Sequence, residues 1–208
     1  KRLDQPNSAV TPLIDHFESS FSYLGNEGDT LWFKTNHGAP KGRVVALNLQ
    51  SPDPSALTTL IPEAEEAMEL AQVAGERFVV GYLRHAASAL KVFDLKGVFE
   101  REIALPGIGS ASGLSARRES EVGTFTFTSF TSPGAVYEYH FATGEVRALF
   151  KPTLKVDLNS LTTRQVFVTS KDGAKVPAFI VHSRDLNLSE PHPTLLYAYG
   201  GFNISLTP

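Results

Sequence analysis

The chain has 208 residues, which is enough for one large domain or for a domain and part of a second. Its 19 Lys and Arg residues nearly balance its 22 Asp and Glu residues, so nucleic acid and an anionic membrane surface are not expected as partners. Cysteine is absent, which excludes disulfides and thiolate metal sites, and no apolar stretch is long enough to cross a bilayer.

Short segments rich in aromatic and β-branched residues recur between residues 21 and 150, as expected for strands joined by tight turns. The clearest set starts at intervals of 48 and 46 residues and comprises 30–36, 78–84 and 124–130. Two further strands follow each of these, at 43–49 and 57–61, 90–95 and 100–105, and 135–141 and 145–150. Another candidate precedes each, at 21–25, 68–75 and 112–119. Four strands in about 45 residues are typical of a β-propeller blade.

A β-sandwich with evenly spaced strands is the alternative. The propeller is favoured because three sets of strands recur together at similar intervals along the sequence. The segment "EAEEAMELAQ" (63–72) has a composition that favours a helix, whereas the repeat predicts a strand from about Met68 onward. Three blades cannot close a ring that usually needs about four to eight. We therefore expect further blades outside these residues, and a chain that is part of a longer protein.

The pattern changes after about Val156. Strands are predicted at 164–170 and 175–182, joined by a "KDGA" turn, and a polar loop follows at 183–193. A last strand at 194–199 is apolar throughout, which predicts burial on both faces, as in the middle of an α/β sheet. A domain boundary is accordingly predicted near residue 157.

A complete catalytic motif is not found in the sequence. The glycine-rich stretch "GIGSASG" (107–113) has Ala111 where a nucleophile elbow needs serine, so it is interpreted as a linker between blades. The six histidines lack the spacing of a zinc site, and there is no phosphate-binding or dinucleotide-binding fingerprint. We expect neither a metal nor a cofactor.

The stretch "LLYAYGGFN" (195–203) is the remaining candidate. In an α/β-hydrolase, the loop after the third strand supplies part of the oxyanion hole, and glycines let its backbone turn sharply near substrate. Tyr199 could donate its hydroxyl, Phe202 could line an apolar pocket, and Gly200 and Gly201 would form the turn. A buried strand that ends in a Gly-Gly turn with packing aromatics fits equally well, and the residues alone leave both interpretations open.

Four segments closely resemble the prolyl oligopeptidase family of serine peptidases. They are "YLGNEGDTLWFKTNHGAPKGRVVALNL" (23–49), "FTSFTSPGAVYEY" (127–139), "SKDGAKVPAFIVH" (170–182) and "PHPTLLYAYGGFNISLTP" (191–208). The resemblance implies a seven-bladed propeller that caps an α/β-hydrolase domain. We therefore expect a mostly β chain in which residues 1–157 form about three to four blades and residues 158–208 begin the peptidase domain.

The resemblance also implies a function, namely a serine endopeptidase that cuts short peptides on the carboxyl side of proline, with a propeller that restricts access to oligopeptides. By the same resemblance, Tyr199 belongs to the oxyanion hole, Phe202 lines the subsites around proline, and Gly200 and Gly201 bring both into place. The Ser-Asp-His triad is expected outside these 208 residues, so the chain alone should be inactive.

A monomeric full-length enzyme in the cytoplasm is also implied by the resemblance, with the periplasm as an alternative. Two other functions stay open, a non-catalytic propeller that binds a protein partner and a related peptidase or esterase of the same clan.

Overall fold

The computed structural model describes residues 7–10, 12–15, 17–53, 56–202 and 204–208. This part of the chain contains fourteen β-strands and a short 3-10 helix, Leu158–Ser160, and it contains no α-helix. Twelve of the strands form three four-stranded sheets, and the last two form a separate hairpin. The predicted mostly β fold is therefore confirmed.

Each sheet is an antiparallel meander in which strands adjacent in sequence are adjacent in space. Blade 1 contains β1 to β4, which are Phe21–Glu27, Thr30–Thr35, Arg43–Asn48 and Thr58–Ile61. Blade 2 contains β5 to β8, which are Ala67–Ala74, Arg77–Arg84, Ala87–Phe93 and Phe99–Glu102. Blade 3 contains β9 to β12, which are Ser110–Ala111, Val122–Ser129, Ser132–His140 and Val146–Phe150.

The blades are held together by apolar side chains that alternate along each strand. In β6, Phe78 and Val80 belong to a buried cluster shared with blade 1, whereas Val79 belongs to one shared with blade 3. Successive side chains of a strand point to opposite faces, so blade 2 buries one face against each neighbour. This face-to-face packing is the arrangement of a propeller, and the three sheets form part of one and do not close a ring.

The turns of the blades lie at two ends. Because the strands are antiparallel, the turn after the first strand and the turn after the third lie at one end, and the turn after the second lies at the other. The first strands β1 and β5 lie against each other, while the fourth strands are more exposed at the sheet edges. We give the name axial turns to the chain segments at the ends of the first strands, residues 26–29, 75–76 and 116–121, of which Asn26 and Glu27 are the last two residues of β1.

The prediction of a strand from Met68 is confirmed, because β5 begins at Ala67 despite its helix-favouring composition. The predicted strand over residues 112–119 is wrong. Its place is taken by the two-residue strand β9 and one isolated bridge between Ser115 and Thr124. Ser112 and Ser115 still form backbone hydrogen bonds with β10, whereas the carbonyls of Arg117 and Arg118 accept hydrogen bonds from blade 2 and so do not pair within their own sheet.

The hairpin after blade 3 consists of β13 (Leu161–Thr169) and β14 (Lys175–Ser183). Its turn is the predicted one, in which Gly173 has a φ of 88° and the Asp172 carboxylate accepts a hydrogen bond from the backbone of Ala174. The assignment of a domain boundary near residue 157 stays a prediction.

The predicted buried strand at 194–199 is wrong for the described structure. These residues form no strand, and the side chains of Leu195 and Leu196 are about 90% exposed (91% and 90%). A strand needs neighbours for its backbone hydrogen bonds, and β13 and β14 pair only with each other among the described strands. The apolar side chains of residues 194–199 therefore have no sheet beside them that would bury them.

Candidate functional site

The glycine-containing segment after the hairpin brings two of the four predicted site residues together. The Tyr199 ring folds back over Gly201, and a Cβ built on that glycine would lie 3.2 Å from the tyrosine hydroxyl. The backbone then bends, and the amide of Ile204 donates to the carbonyl of Gly201 at 3.1 Å. A side chain at position 201 would therefore press on the hydroxyl, which would have to move by a few tenths of an ångström.

The other two positions are more open. Gly200 has no atom within 4 Å of the place where a Cβ would be, and Phe202 is 91% exposed with a φ of 53°. That backbone conformation is uncommon for a non-glycine residue. Asn203, the last residue of the motif, lies outside the described residues.

Tyr199 is itself 48% exposed, and its hydroxyl has no hydrogen-bond partner among the described residues. It can donate to a ligand oxygen without first breaking an internal bond. An exposed phenol beside two glycines and an exposed aromatic ring can bind an oxyanion and an apolar group, but this segment supplies no nucleophile.

The hairpin contacts the end of the blades that carries the turns after their second strands. The side-chain amide of Gln165 donates to the carbonyl of His85 at 2.7 Å, and the His85 ring meets Phe167 edge-on with centroids 5.0 Å apart. In blade 3, Phe130 contacts Phe179 with centroids 5.5 Å apart. Two blades thus carry turns that contact the hairpin, and the axial turns lie at the opposite end.

Two clefts lie between this end of the blades and the hairpin. The larger has a volume of about 500 Å³ and is lined in part by Arg84, His85, Ile108 and Gln165. The second, of about 320 Å³, is lined in part by Phe127, Thr163 and Arg184. The sequence did not predict these clefts, because they depend on contacts between segments about 80 residues apart.

A charged cluster of blade 2 borders the larger cleft. Arg84 makes two hydrogen bonds to Glu102, at 2.9 and 2.8 Å, and a third to Glu66 at 2.9 Å. Lys91 lies 3.2 Å from Glu66 and 4.6 Å above the ring of Tyr82. Hydrogen bonding from Arg84 holds the pKa of Glu66 below its ordinary value, and burial raises the pKa of Tyr82 to about 12. The cluster keeps Arg84 fully paired, so it stabilises this wall of the cleft.

Within the described residues, no group of three or more His, Asp or Glu side chains is arranged to hold a metal ion. Nor does any described helix have the length and apolar character needed to span a membrane.

The chain is similar in sequence to known proteins over almost its whole length. Residues 1–152 match the family described as prolyl oligopeptidase, N-terminal β-propeller domain. A prolyl endopeptidase of Elizabethkingia miricola is 35% identical over 197 residues, which is 95% of this chain and 28% of that protein. Prolyl oligopeptidase A of Amanita bisporigera is 33% identical over 211 residues, which is 97% of this chain and 27% of that protein.

Solved structures give the same result. A structure from a study of two prolyl endopeptidases, on inter-domain dynamics in catalysis and specificity, matches 93% of this chain with a TM-score of 0.83 and 32% identity. Prolyl oligopeptidase B from Galerina marginata, without ligand, matches 84% with a TM-score of 0.75 and 25% identity. The chain covers 29% and 26% of those two chains, so it spans less than a third of the relatives that it matches.

Proposed function

Since the chain belongs to the prolyl oligopeptidase family, through that family's N-terminal β-propeller domain, we propose that it is part of a serine endopeptidase. The enzyme hydrolyses short peptides on the carboxyl side of proline. The observation that carries the proposal is the similarity to prolyl endopeptidases, at 35% identity over 95% of the chain. The activity is proposed for a full-length protein, because the relatives are more than three times as long as these 208 residues.

In this proposal the chain contributes to both domains of the enzyme. Residues 1–157 supply blades of the propeller that limits access to oligopeptides, and residues 158–208 begin the α/β-hydrolase domain. The contacts of Gln165 and Phe167 with the blade 2 turn support a hairpin that belongs to the second domain and is seated against the first. Substrate would bind on this side of the blades, where the clefts lie.

The chemical step proposed is acyl transfer through a serine nucleophile, with histidine as general base. In that step Tyr199 donates its hydroxyl to the negative oxygen of the tetrahedral intermediate. Its exposed hydroxyl beside Gly201 supports this role. Phe202, which is exposed and apolar, lines the subsites around proline, and Gly200 and Gly201 give the backbone its turn.

A protein-binding propeller without catalytic function is not favoured, because the relatives matched over nearly the whole chain are named as peptidases. We further propose that the full-length enzyme is a monomer that acts in the cytoplasm on proline-containing peptides, with the periplasm as the alternative compartment. Gel filtration with light scattering tests the first point, and cell fractionation tests the second.

The proposal is tested with the purified full-length protein and two matched fluorogenic peptides, one with Gly-Pro before the scissile bond and one with Gly-Ala. We expect cleavage of the first only. Equal cleavage of both would indicate a related peptidase of the same clan, and cleavage of neither would contradict a peptidase function.

Tyr199→Phe tests the oxyanion role in the same assay. Removal of one donor should lower kcat by about 10- to 1,000-fold, because the hydroxyl contributes most in the transition state. Tyr197→Phe is the matched control, since it removes a hydroxyl two residues earlier from a side chain that is 75% exposed. An unchanged kcat in Tyr199→Phe would remove Tyr199 from the oxyanion hole.

A further inference from the structure

The axial turn of blade 3 is bound to the axial turn of blade 2 by main-chain hydrogen bonds. The amide of Gly75 donates to the carbonyl of Arg117 at 3.2 Å, and the amide of Glu76 donates to that of Arg118 at 2.6 Å. A main-chain hydrogen bond also joins blades 1 and 2 elsewhere, from the amide of Met68 to the carbonyl of Lys41 at 2.7 Å, and apolar clusters fill the space between the blades. At this end, backbone amides of blade 2 therefore find their hydrogen-bond acceptors in the backbone of blade 3.

The Arg118 side chain continues across blade 2 to blade 1. Its Nε lies 3.0 Å from each carboxylate oxygen of Glu76, and one terminal nitrogen donates to the carbonyl of Asn26 at 2.7 Å. The other terminal nitrogen lies 3.4 Å from Glu27, and the guanidinium carbon is 5.4 Å from the centre of the Trp32 ring. One side chain of blade 3 thus contacts both preceding blades.

The chemistry of the contact requires arginine. A guanidinium has five N–H donors in a fixed planar fork, so it can bind a carboxylate, a carbonyl and an aromatic face at once. A lysine ammonium can satisfy Glu76 or Asn26, but its compact charge does not span the two. Hydrogen bonds from Arg118 to Glu76 also raise the pKa of Arg118, which keeps the guanidinium charged.

Ion pairs as exposed as these contribute little when isolated, because water and salt screen them. Here the contact with Glu76 is one part of a network that also includes a backbone carbonyl and the nearly buried ring of Trp32. Each added partner restricts the same side chain, so the network constrains the relative positions of three blades more than any single pair would.

We propose that Arg118 is a positioning residue that fixes the axial turns of three successive blades as one unit. In the peptidase proposed above, on which this second step rests, the fixed unit limits the size of peptide that can pass at this end of the propeller.

Hydrogen exchange of the full-length protein, read by mass spectrometry, tests the positioning role without any need for activity. Arg118→Met should speed exchange about tenfold in peptides covering residues 24–30 and 73–78, which corresponds to about 1.4 kcal/mol of lost protection. Arg118→Lys should keep the protection of blade 2 and lose that of blade 1. Arg147→Met is the matched control, since Arg147 pairs with Glu138 within blade 3 at 2.7 Å.

Two results would overturn the positioning role. One is unchanged exchange in residues 24–30 of Arg118→Met. The other is equal acceleration of exchange throughout the blades in Arg118→Met and Arg147→Met, which would indicate general destabilisation.

The size limit is tested by the ratio of kcat/KM for a long and a short peptide, each with a single proline. The ratio should rise several-fold in Arg118→Met and stay constant in Arg147→Met. A constant ratio in Arg118→Met would overturn the size limit. A wild-type protein that cleaves neither peptide would contradict the proposed function and leave the exchange result standing.

Discussion

Gly97 offers a direct test of how closely the blades are spaced. It lies in the turn between β7 and β8 of blade 2 with a φ of 86°, and a Cβ built there would lie 2.1 Å from the carbonyl oxygen of Leu60. Leu60 is in β4 of blade 1, so this is a contact between backbones of adjacent blades. An alanine at position 97 would have to separate them.

The cost of Gly97→Ala has two parts. A left-handed backbone costs an alanine about 1–2 kcal/mol. Ordinary contact begins at 3.4 Å, so the Leu60 oxygen would have to move by about 1.3 Å, and overpacking of this kind costs about 1–3 kcal/mol. The expected loss of unfolding free energy is therefore about 2–5 kcal/mol.

Gly28→Ala is the control for the backbone part alone. Gly28 lies in the turn between β1 and β2 with a φ of 55°, and a Cβ added there would have no atom within 4 Å. This variant should lose about 1–2 kcal/mol. The comparison is made by urea unfolding of the 208-residue chain as wild type, Gly97→Ala and Gly28→Ala. Unfolding is followed by the fluorescence of Trp32, the single tryptophan of these residues. Equal losses in the two variants would refute the argument that the Leu60 carbonyl limits the spacing of the blades.

Two further predictions concern the charged cluster and the candidate site. Arg84 lowers the pKa of Glu66 in the folded state. The ionised Glu66 carboxylate therefore contributes to stability at pH values above its ordinary pKa of 4.5, and this contribution is lost as the pH falls through the folded-state pKa. Glu66→Gln should therefore lose less stability on acidification than the wild type in parallel urea titrations, and an equal loss would exclude Glu66 as a source of it. Phe202→Ala in the full-length protein should raise KM for the Gly-Pro peptide several-fold and change kcat less, and steady-state kinetics with an unchanged KM would remove Phe202 from the proline subsites.

The blades could be predicted from the sequence because their strands bury alternate side chains at a constant interval. In β10, Phe125 and Phe127 enter the core shared with blade 2, and Thr126 between them points to the other face. The helix-favouring composition before Met68 did not mislead the prediction, since pairing with β6 and burial of Met68 and Ala74 in two different apolar clusters outweigh local propensity in β5.

The predicted strand at 194–199 failed because it lacks the neighbouring strands that the blades have. Residues 194–199 have the apolar pattern of a buried strand, but a strand forms only when neighbouring backbones are present to pair with it. The local sequence pattern predicts which side chains would be buried in a sheet. Their actual burial depends on whether neighbouring strands are present. For the same reason, the roles of Tyr199 and Phe202 came from the family resemblance, and not from the spacing of these residues alone.

The Arg118 network was not predicted from the sequence, because Glu76 and Asn26 lie 42 and 92 residues before Arg118. Local sequence patterns do not connect residues that are so far apart. The repeat itself contains the missing signal. Once the first strands are in register, the turns that follow them must lie side by side at one end of the blades. Glu27 and Glu76 then occupy adjacent turns, and Arg118 occupies the third. Opposite charges at matching turns of successive blades therefore indicate contacts between blades, and a sequence with a known propeller register can be searched for them.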